Sequence, residues 1–205
     1  WQFNDCWPVT SWSSLDYYGN WKAFHYQAKR SFENLLLSAE VTDSGIYKFF
    51  VINDGMQNYA GELKAEIRNF KGQLLWQRSS YCKSDASSNV AAILLPFPSL
   101  KEIDTQNSYI KLEFISGDNH WESNFFFEKP KDLKLSKPSI QIKTIDALTI
   151  EISSNVLAKD VFLYSENDTF FEDNYFDLLP NEKRIIKLSK AAKEIKVKSL
   201  FDTMK

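Results

Sequence analysis

A repeat of two in the hydrophobic pattern constrains this chain more than any other feature. From residue 35 to residue 127, apolar side chains alternate with polar ones or form short runs, which is the pattern of β-strands. Turn sequences such as Asp43-Ser44-Gly45 and Lys71-Gly72 interrupt them. The pattern predicts seven strands, at 35–41, 46–53, 61–70, 73–79, 89–95, 109–116 and 122–127. Seven such strands in roughly a hundred residues are typical of an antiparallel immunoglobulin-type sandwich.

A second, shorter set of strands follows a polar stretch with prolines at 130 and 138, which we interpret as a linker. The predicted strands are 139–144, 148–153, 160–165, 175–178, 183–188 and 195–199. The side chains expected to point inward are Ile140, Ile142, Leu148, Ile150, Ile152, Val161 and Leu163. The second set therefore predicts another, smaller sandwich, with domain boundaries at 34–129 and 130–205.

Residues 1–33 follow a different pattern. Residues 1–5 resemble a short strand, Pro8 ends it, and a helix is predicted from about Asp16, with Asn20 placed to cap it. The apolar stripe of that helix contains Trp21, Phe24, His25, Ala28 and Phe32. One strand and one helix cannot bury such a stripe alone. We expect the helix to dock on the first sandwich, because the join at 33–34 is short, and the uncovered remainder to favour self-association.

Composition excludes several classes of protein. The net charge of −2 gives no basic surface for nucleic acid, and no apolar run approaches the ~18 residues needed to cross a membrane. Two cysteines, Cys6 and Cys82, are too few for a disulfide framework or a cysteine-rich zinc site. A single disulfide bridge between them stays open at this point, and we expect two buried free thiols.

A search for catalytic groups finds no complete active site. Asp5 and Asp16 are the only acids near the aromatic N-terminal segment, and a single strand and loop is poorly suited to place them across a glycosidic bond. A Cys6–His25 dyad is conceivable, but His25 lies on the apolar stripe and is better interpreted as a hydrogen-bonded core residue. No metal or cofactor motif occurs, so we expect no cofactor and no metal site.

Two stretches resemble a known enzyme family. The run WQFNDCWPVTSWSSLDYYGNWKAFHYQAKRSF resembles the last strand and helix of the (β/α)₈ barrel in the β-mannosidases of glycoside hydrolase family 2. The later run FFEDNYFDLLPNEKR resembles the signature of their terminal immunoglobulin-like domain, and the middle domain resembles their Ig/CBM-like module. The resemblance implies a mainly β fold, in which the end of a barrel at 1–33 precedes two immunoglobulin-like antiparallel β-sandwiches.

The resemblance also implies a role for the N-terminal residues. Trp1 would form the floor of the pocket that holds a terminal mannose, and Asn4 and Asp5 would contact substrate or support the pocket. Trp7 and Trp12 would pack under the loop. The substrate would be a β-mannoside or manno-oligosaccharide, and the partner an upstream barrel of the same chain.

The family's two catalytic glutamates lie on earlier barrel strands, and their motifs are absent from these residues. We therefore expect this chain to be a C-terminal piece without a catalytic residue of its own. The parent enzyme would be periplasmic or secreted in a bacterium and lysosomal in an animal.

Two other interpretations remain open at this point. A carbohydrate-binding module would use exposed aromatic residues as a platform, and the candidates are Tyr59, Trp76, Tyr81 and Trp121, although Trp76 sits mid-strand, where tryptophans are more often core. A general adhesion module is the third interpretation, and the specific sequence of residues 1–32 argues against it.

Overall fold

The computed structural model describes residues 2–96 and 101–204 and divides the chain into two compact units. One unit comprises residues 32–135, and the other comprises residues 136–204 together with the N-terminal residues 2–31. The terminal sandwich and the N-terminal segment thus form one unit, although the whole of the first sandwich lies between them in sequence.

The first unit is a sandwich of two antiparallel sheets. Its strands are β1 Leu35–Val41, β2 Ile46–Asn53, β3 Tyr59–Asn69, β4 Leu74–Ser84, β5 Ser88–Pro96, β6 Ser108–Ser116 and β7 Asn119–Phe126. The sheet orders are β1-β2-β5 and β4-β3-β6-β7, so the fourth strand extends the larger sheet instead of joining β1 and β2. All seven predicted strands are present, and the predicted bounds of β1 and β2 agree with the structure.

Alternate residues of these strands build the core of the first unit. Fully buried side chains such as Phe49, Leu63 and Phe114 come from both sheets. Gly61 allows β3 to approach β6 closely, because a Cβ atom there would overlap the carbonyl oxygen of Ile115.

The terminal sandwich repeats this sheet arrangement with six strands in the described part of the chain. They are β8 Ile140–Asp146, β9 Thr149–Ser154, β10 Ala158–Ser165, β11 Phe176–Leu178, β12 Lys183–Lys187 and β13 Ile195–Lys198. Their orders are β8-β9-β12 and β11-β10-β13, and all six predicted strands are present. One inward assignment is wrong: Leu148 precedes β9 in a turn and is 48% exposed, whereas Ile150 and Ile152 are buried.

The helix α1, Ala23–Ser31, begins later than predicted and buries a different face. Residues 16–20 form a turn in which the Asp16 carboxylate accepts hydrogen bonds from the backbone and side-chain amides of Asn20, so Asn20 does not cap the helix. Tyr26 is the buried residue of α1, whereas Phe24 and Phe32 of the predicted stripe are 59% and 86% exposed. The helix contacts the terminal sandwich, so the prediction that it docks on the first sandwich is wrong.

The core of the terminal sandwich can be tested with two adjacent isoleucines of β12. Ile186 is buried and Ile185 is half exposed, so the substitution Ile186→Ala should cost about 2–4 kcal/mol of unfolding free energy. The matched control Ile185→Ala should cost less than about 1 kcal/mol, because it leaves no cavity. Urea unfolding measures both. Equal costs for the two variants would contradict the alternation described for β12.

Candidate functional site

The N-terminal segment is held as a closed loop. Asn4 forms a parallel bridge with Leu15, and Leu15 forms an antiparallel bridge with Trp21. The carbonyl oxygen of Phe3 accepts hydrogen bonds from the Ser14 amide at 3.1 Å, the Leu15 amide at 2.9 Å and the Ser14 hydroxyl at 2.7 Å. The backbone around Asn4 is therefore fixed from both sides. This pairing replaces the continuous strand predicted for residues 1–5.

Asp5 is a buried carboxylate that closes this loop. Its Oδ2 accepts a hydrogen bond from the Lys22 ammonium at 2.8 Å, and its Oδ1 accepts one from the Ser11 hydroxyl at 2.5 Å. Lys22 also donates to the Ser13 hydroxyl at 2.7 Å. The hydrogen bonds from Lys22 and Ser11 hold the pKa of Asp5 below its ordinary value, against the opposing effect of burial. The Asp5 carboxylate therefore joins the start of the loop to Ser11 and Lys22.

The other predicted site residues have different surroundings. Asn4 is exposed, and its side-chain amide donates to the carbonyl oxygen of Asp5 at 3.2 Å. Trp1 lies outside the described residues. The prediction that Trp7 and Trp12 pack under the loop is wrong, because they are 62% and 73% exposed. The loop is closed by polar side chains and carries its tryptophans on the outside.

The Cys6–His25 dyad gains no support from the structure. His25 Nδ1 lies 3.1 Å from the Ser14 hydroxyl, whose own proton goes to the Phe3 carbonyl, so Nδ1 is the donor. His25 is hydrogen-bonded as predicted, but it is only partly buried and not a core residue. Both cysteines are free, but Cys6 is exposed, which corrects the expectation that both thiols are buried. Cys82 is buried, and burial raises the pKa of its thiol.

An exposed aromatic surface surrounds this loop and the start of α1. We call it the N-terminal aromatic surface; its exposed members are Phe3, Trp7, Val9, Trp12, Tyr17, Tyr18 and Phe24. An open groove of about 530 Å³ reaches two of these members, Trp12 and Phe24, and is lined by Ser11 to Ser13 and by Lys22 to Phe24. Exposed apolar side chains in this number on one short segment are typical of an interaction site.

The opposite side of α1 is held by a row of hydrogen-bond acceptors in the terminal sandwich. We call residues 171–175, which precede β11, the acceptor loop. Each of its five residues accepts a hydrogen bond from α1: the carbonyl of Phe171 from the Tyr26 hydroxyl (3.0 Å), that of Glu172 from the Lys29 ammonium (3.2 Å), the carboxylate of Asp173 from Arg30 (2.7 Å), and the carbonyls of Asn174 and Tyr175 from Arg30 (3.2 and 2.9 Å). Several carbonyl and carboxylate oxygens so close together suit the guanidinium of Arg30, because a guanidinium has five donors in a rigid plane.

The acceptor loop is shaped before the helix reaches it. The buried Asn174 side chain accepts from the amide of Leu163 and donates to its carbonyl oxygen, both at 2.8 Å, and so pairs with β10 like a short strand. Tyr175 has a left-handed backbone with φ of 52°, which is unusual for a bulky residue. Its ring stacks on Phe162 at 4.8 Å. These contacts fix the direction of the loop carbonyls.

Aromatic packing continues the contact towards the start of the helix. The ring of Phe170 lies 5.0 Å from Trp21, edge to face. Burial raises the pKa of Tyr26 far above its ordinary value, so this hydroxyl remains a donor at any physiological pH. The helix is therefore held by both polar and aromatic contacts.

The aromatic platform suggested for a carbohydrate-binding module is not formed by its four candidates. Tyr59, Trp76 and Trp121 are partly buried against the core of the first sandwich, and the ring of Trp121 stacks on Phe114. Of the four, Tyr81 alone is largely exposed.

One cluster in the first sandwich offers ligand atoms of the type that binds metals. Glu113, His120 and Glu122 on β6 and β7 have such atoms within 4.8 Å of one another. The Lys111 ammonium lies 3.1 Å from Glu113 and 3.6 Å from Glu122. The two carboxylates therefore already neutralise a cation of the protein itself.

Comparisons with known proteins place both sandwiches in one class. Residues 45–132 match the mannosidase Ig/CBM-like domain, and residues 135–203 match the mannosidase Ig-fold domain. The fold is similar to that of the β-D-mannosidase from Dictyoglomus thermophilum, with a TM-score of 0.80 and 25% identity over 97% of this chain and 25% of that one. These matches define a mannosidase-type pair of immunoglobulin-like domains.

Curated relatives agree with that class. The β-mannosidase of Rattus norvegicus is 25% identical over 91% of this chain and 23% of its own length. β-Mannosidase B of Thermothelomyces thermophilus is 24% identical over 98% of this chain and 26% of its own length. The chain is thus similar to the C-terminal immunoglobulin-like part of β-mannosidases, which confirms the resemblance to glycoside hydrolase family 2. It spans about a quarter of the length of these relatives.

The contact between Arg30 and Asp173 can be measured by a double-mutant cycle. Both side chains are partly buried, so Arg30→Ala and Asp173→Ala should show a coupling of about 1–2 kcal/mol, the range for a charged hydrogen bond. Lys29→Ala is the control, because the contact of Lys29 with Glu172 is exposed and should contribute little. Additive effects of Arg30→Ala and Asp173→Ala in thermal or urea unfolding would show that the acceptor loop does not hold the helix through this pair.

The lowered pKa of Asp5 predicts how acid affects the loop. The stabilising contribution of this carboxylate is complete above its ordinary pKa of 3.8 and is lost as the pH falls through the lower pKa of the folded protein. Tryptophan fluorescence should therefore report opening of the loop in strong acid, and Asp5→Asn should remove this acid transition. The exposed Asp118→Asn should leave the transition unchanged. An Asp5→Asn profile identical to that of the wild type would contradict the assignment.

Proposed function

We propose that this chain is the accessory C-terminal part of a retaining β-mannosidase that releases terminal β-D-mannose from the non-reducing end of β-mannosides. The observation that carries the proposal is the arrangement of the N-terminal segment. One side of α1 is fixed on the terminal sandwich, while the loop before it carries a fixed Asn4 and an exposed aromatic surface. Such a segment is suited to complete a site whose other residues come from elsewhere.

Asn4 and Asp5 have separate roles in this proposal. The exposed Asn4 side chain is available for a sugar hydroxyl, and its backbone is held in place by the pairing with Leu15. Both carboxylate oxygens of Asp5 accept hydrogen bonds from the loop, so Asp5 supports the pocket without touching the sugar. Trp1, three residues before Asn4, would place its ring against the apolar face of the mannose.

The N-terminal aromatic surface is the proposed contact with the upstream barrel. Covering a large apolar side chain is worth about 1.5–3 kcal/mol, so several exposed aromatic residues provide a strong drive to bury this face. The chain spans about a quarter of the length of its relatives, and an upstream barrel of the same protein would supply the cover. In isolation, the same surface would favour self-association at high concentration.

The described residues do not supply the catalytic pair. Retention requires two carboxyl groups about 5 Å apart on either side of the glycosidic bond. Asp5 is tied to Lys22, and Asp16 accepts hydrogen bonds from the turn that follows it. The proposed function therefore places both catalytic glutamates upstream of Trp1.

The test compares this chain with its extended form on a chromogenic β-D-mannoside. The 205 residues alone should show no turnover, because loss of even one catalytic group costs several orders of magnitude in kcat. The protein extended upstream of Trp1 should hydrolyse the substrate, and Trp1→Ala in that protein should reduce kcat/KM by at least about tenfold. Turnover by the 205 residues, or hydrolysis of β-galactosides and not β-mannosides by the extended protein, would overturn the proposal.

A further inference from the structure

Trp21 and His25 connect the terminal sandwich to the loop that carries Asn4. The ring of Phe170, next to the acceptor loop, lies 5.0 Å from Trp21, and Trp21 lies 4.2 Å from His25. Phe170 belongs to the terminal sandwich, whereas Trp21 and His25 lie at the start of α1. The pair Trp21 and His25 therefore stands between the terminal sandwich and the N-terminal loop.

His25 continues the connection through a single hydroxyl group. Its Nδ1 donates to the Ser14 hydroxyl, and that hydroxyl donates to the carbonyl oxygen of Phe3. The Phe3 ring also contacts the imidazole, with 5.8 Å between centroids. Phe3 immediately precedes Asn4, so the imidazole contacts the residue before Asn4 both at its ring and, through Ser14, at its carbonyl oxygen.

The backbone provides a second connection at the same place. The Lys22 amide donates to the Ser14 carbonyl at 3.0 Å, and Leu15 pairs with Trp21. The start of α1 and the strand-like residues 14–15 therefore move together. A displacement of α1 would reach Asn4 through both connections.

We propose that Trp21 and His25 are positioning residues, through which the hold of the terminal sandwich on α1 fixes the Phe3–Asn4 backbone. The assignment of that backbone to the edge of a mannose pocket rests on the proposed function above. The connection itself consists only of contacts within this chain. In this arrangement the terminal sandwich sets the geometry of the pocket edge without touching the sugar.

The first experiment replaces the donor of His25 and measures hydrogen exchange of the segment 2–15 by mass spectrometry. His25→Leu removes the hydrogen bond to Ser14 and should speed exchange in this segment by about tenfold, the factor that corresponds to one hydrogen bond. His25→Asn places a side-chain amide donor where Nδ1 was and should restore exchange to within about threefold of wild type. Exchange in β9 should be unchanged in both variants. Equal exchange in the Leu and Asn variants would overturn the role of the donor.

The second experiment tests the connection from a distance. Phe170→Ala alters the terminal sandwich and should also speed exchange in the segment 2–15 by several-fold, because Trp21 loses its support. Ile185→Ala removes another partly exposed apolar side chain of the same sandwich and should leave that segment unchanged. If Phe170→Ala affects only its own surroundings, the proposal is wrong. Exchange does not depend on mannoside hydrolysis, so an inactive extended protein would count against the proposed function alone.

Discussion

The hydrogen bonds between the acceptor loop and α1 join the N-terminal segment to the terminal sandwich, and the arrangement of that segment depends on them. Nine residues are too few for a stable helix in water, because isolated helices shorter than about 12–15 residues are marginal. Tyr26 reaches a carbonyl oxygen 145 positions further along the chain, and Arg30 bridges two carbonyls and a carboxylate. These hydrogen bonds to the terminal sandwich supply the stability that a nine-residue helix lacks on its own. The acceptor loop holds its shape through Asn174 and Tyr175 within the terminal sandwich.

This contact changes how the terminal sandwich should be regarded. A domain at the end of a chain is easily taken for an independent appendage, but this one forms a unit with the N-terminal segment. The segment carries an ion pair between the buried Asp5 and the partly exposed Lys22, an exposed Asn4 and the N-terminal aromatic surface. The proposed role in a β-mannosidase gives these features a common purpose, since the sandwich fixes the inner side of a segment whose outer side meets the barrel and the substrate.

Local rules were sufficient for the strands but not for the helix or the site. Period-two alternation and turn residues identified all thirteen strands of the described residues, because each strand is defined by its own residues and the turns that flank it. The predicted helix face was wrong because the stripe counted apolar residues, whereas α1 is held by the polar groups of Tyr26 and Arg30. The pairing of Asp5 with Lys22 spans 17 positions and leaves no periodic signal. The run FFEDNYFD was recognisable as a signature, but it binds α1 largely through backbone carbonyl oxygens. The direction of backbone carbonyls cannot be predicted from residue types.

Hydrogen exchange of the α1 amides in the wild-type chain tests the hold of the acceptor loop most directly. If the loop holds the helix, amides of Tyr26 to Arg30 should exchange at least about a hundredfold more slowly than in an unstructured peptide, because opening the helix requires breaking its contacts with the terminal sandwich. Asp173→Ala should then speed exchange of the helix more than exchange of β9. Exchange of α1 at the rate of a free peptide, while β9 remains protected, would contradict the account.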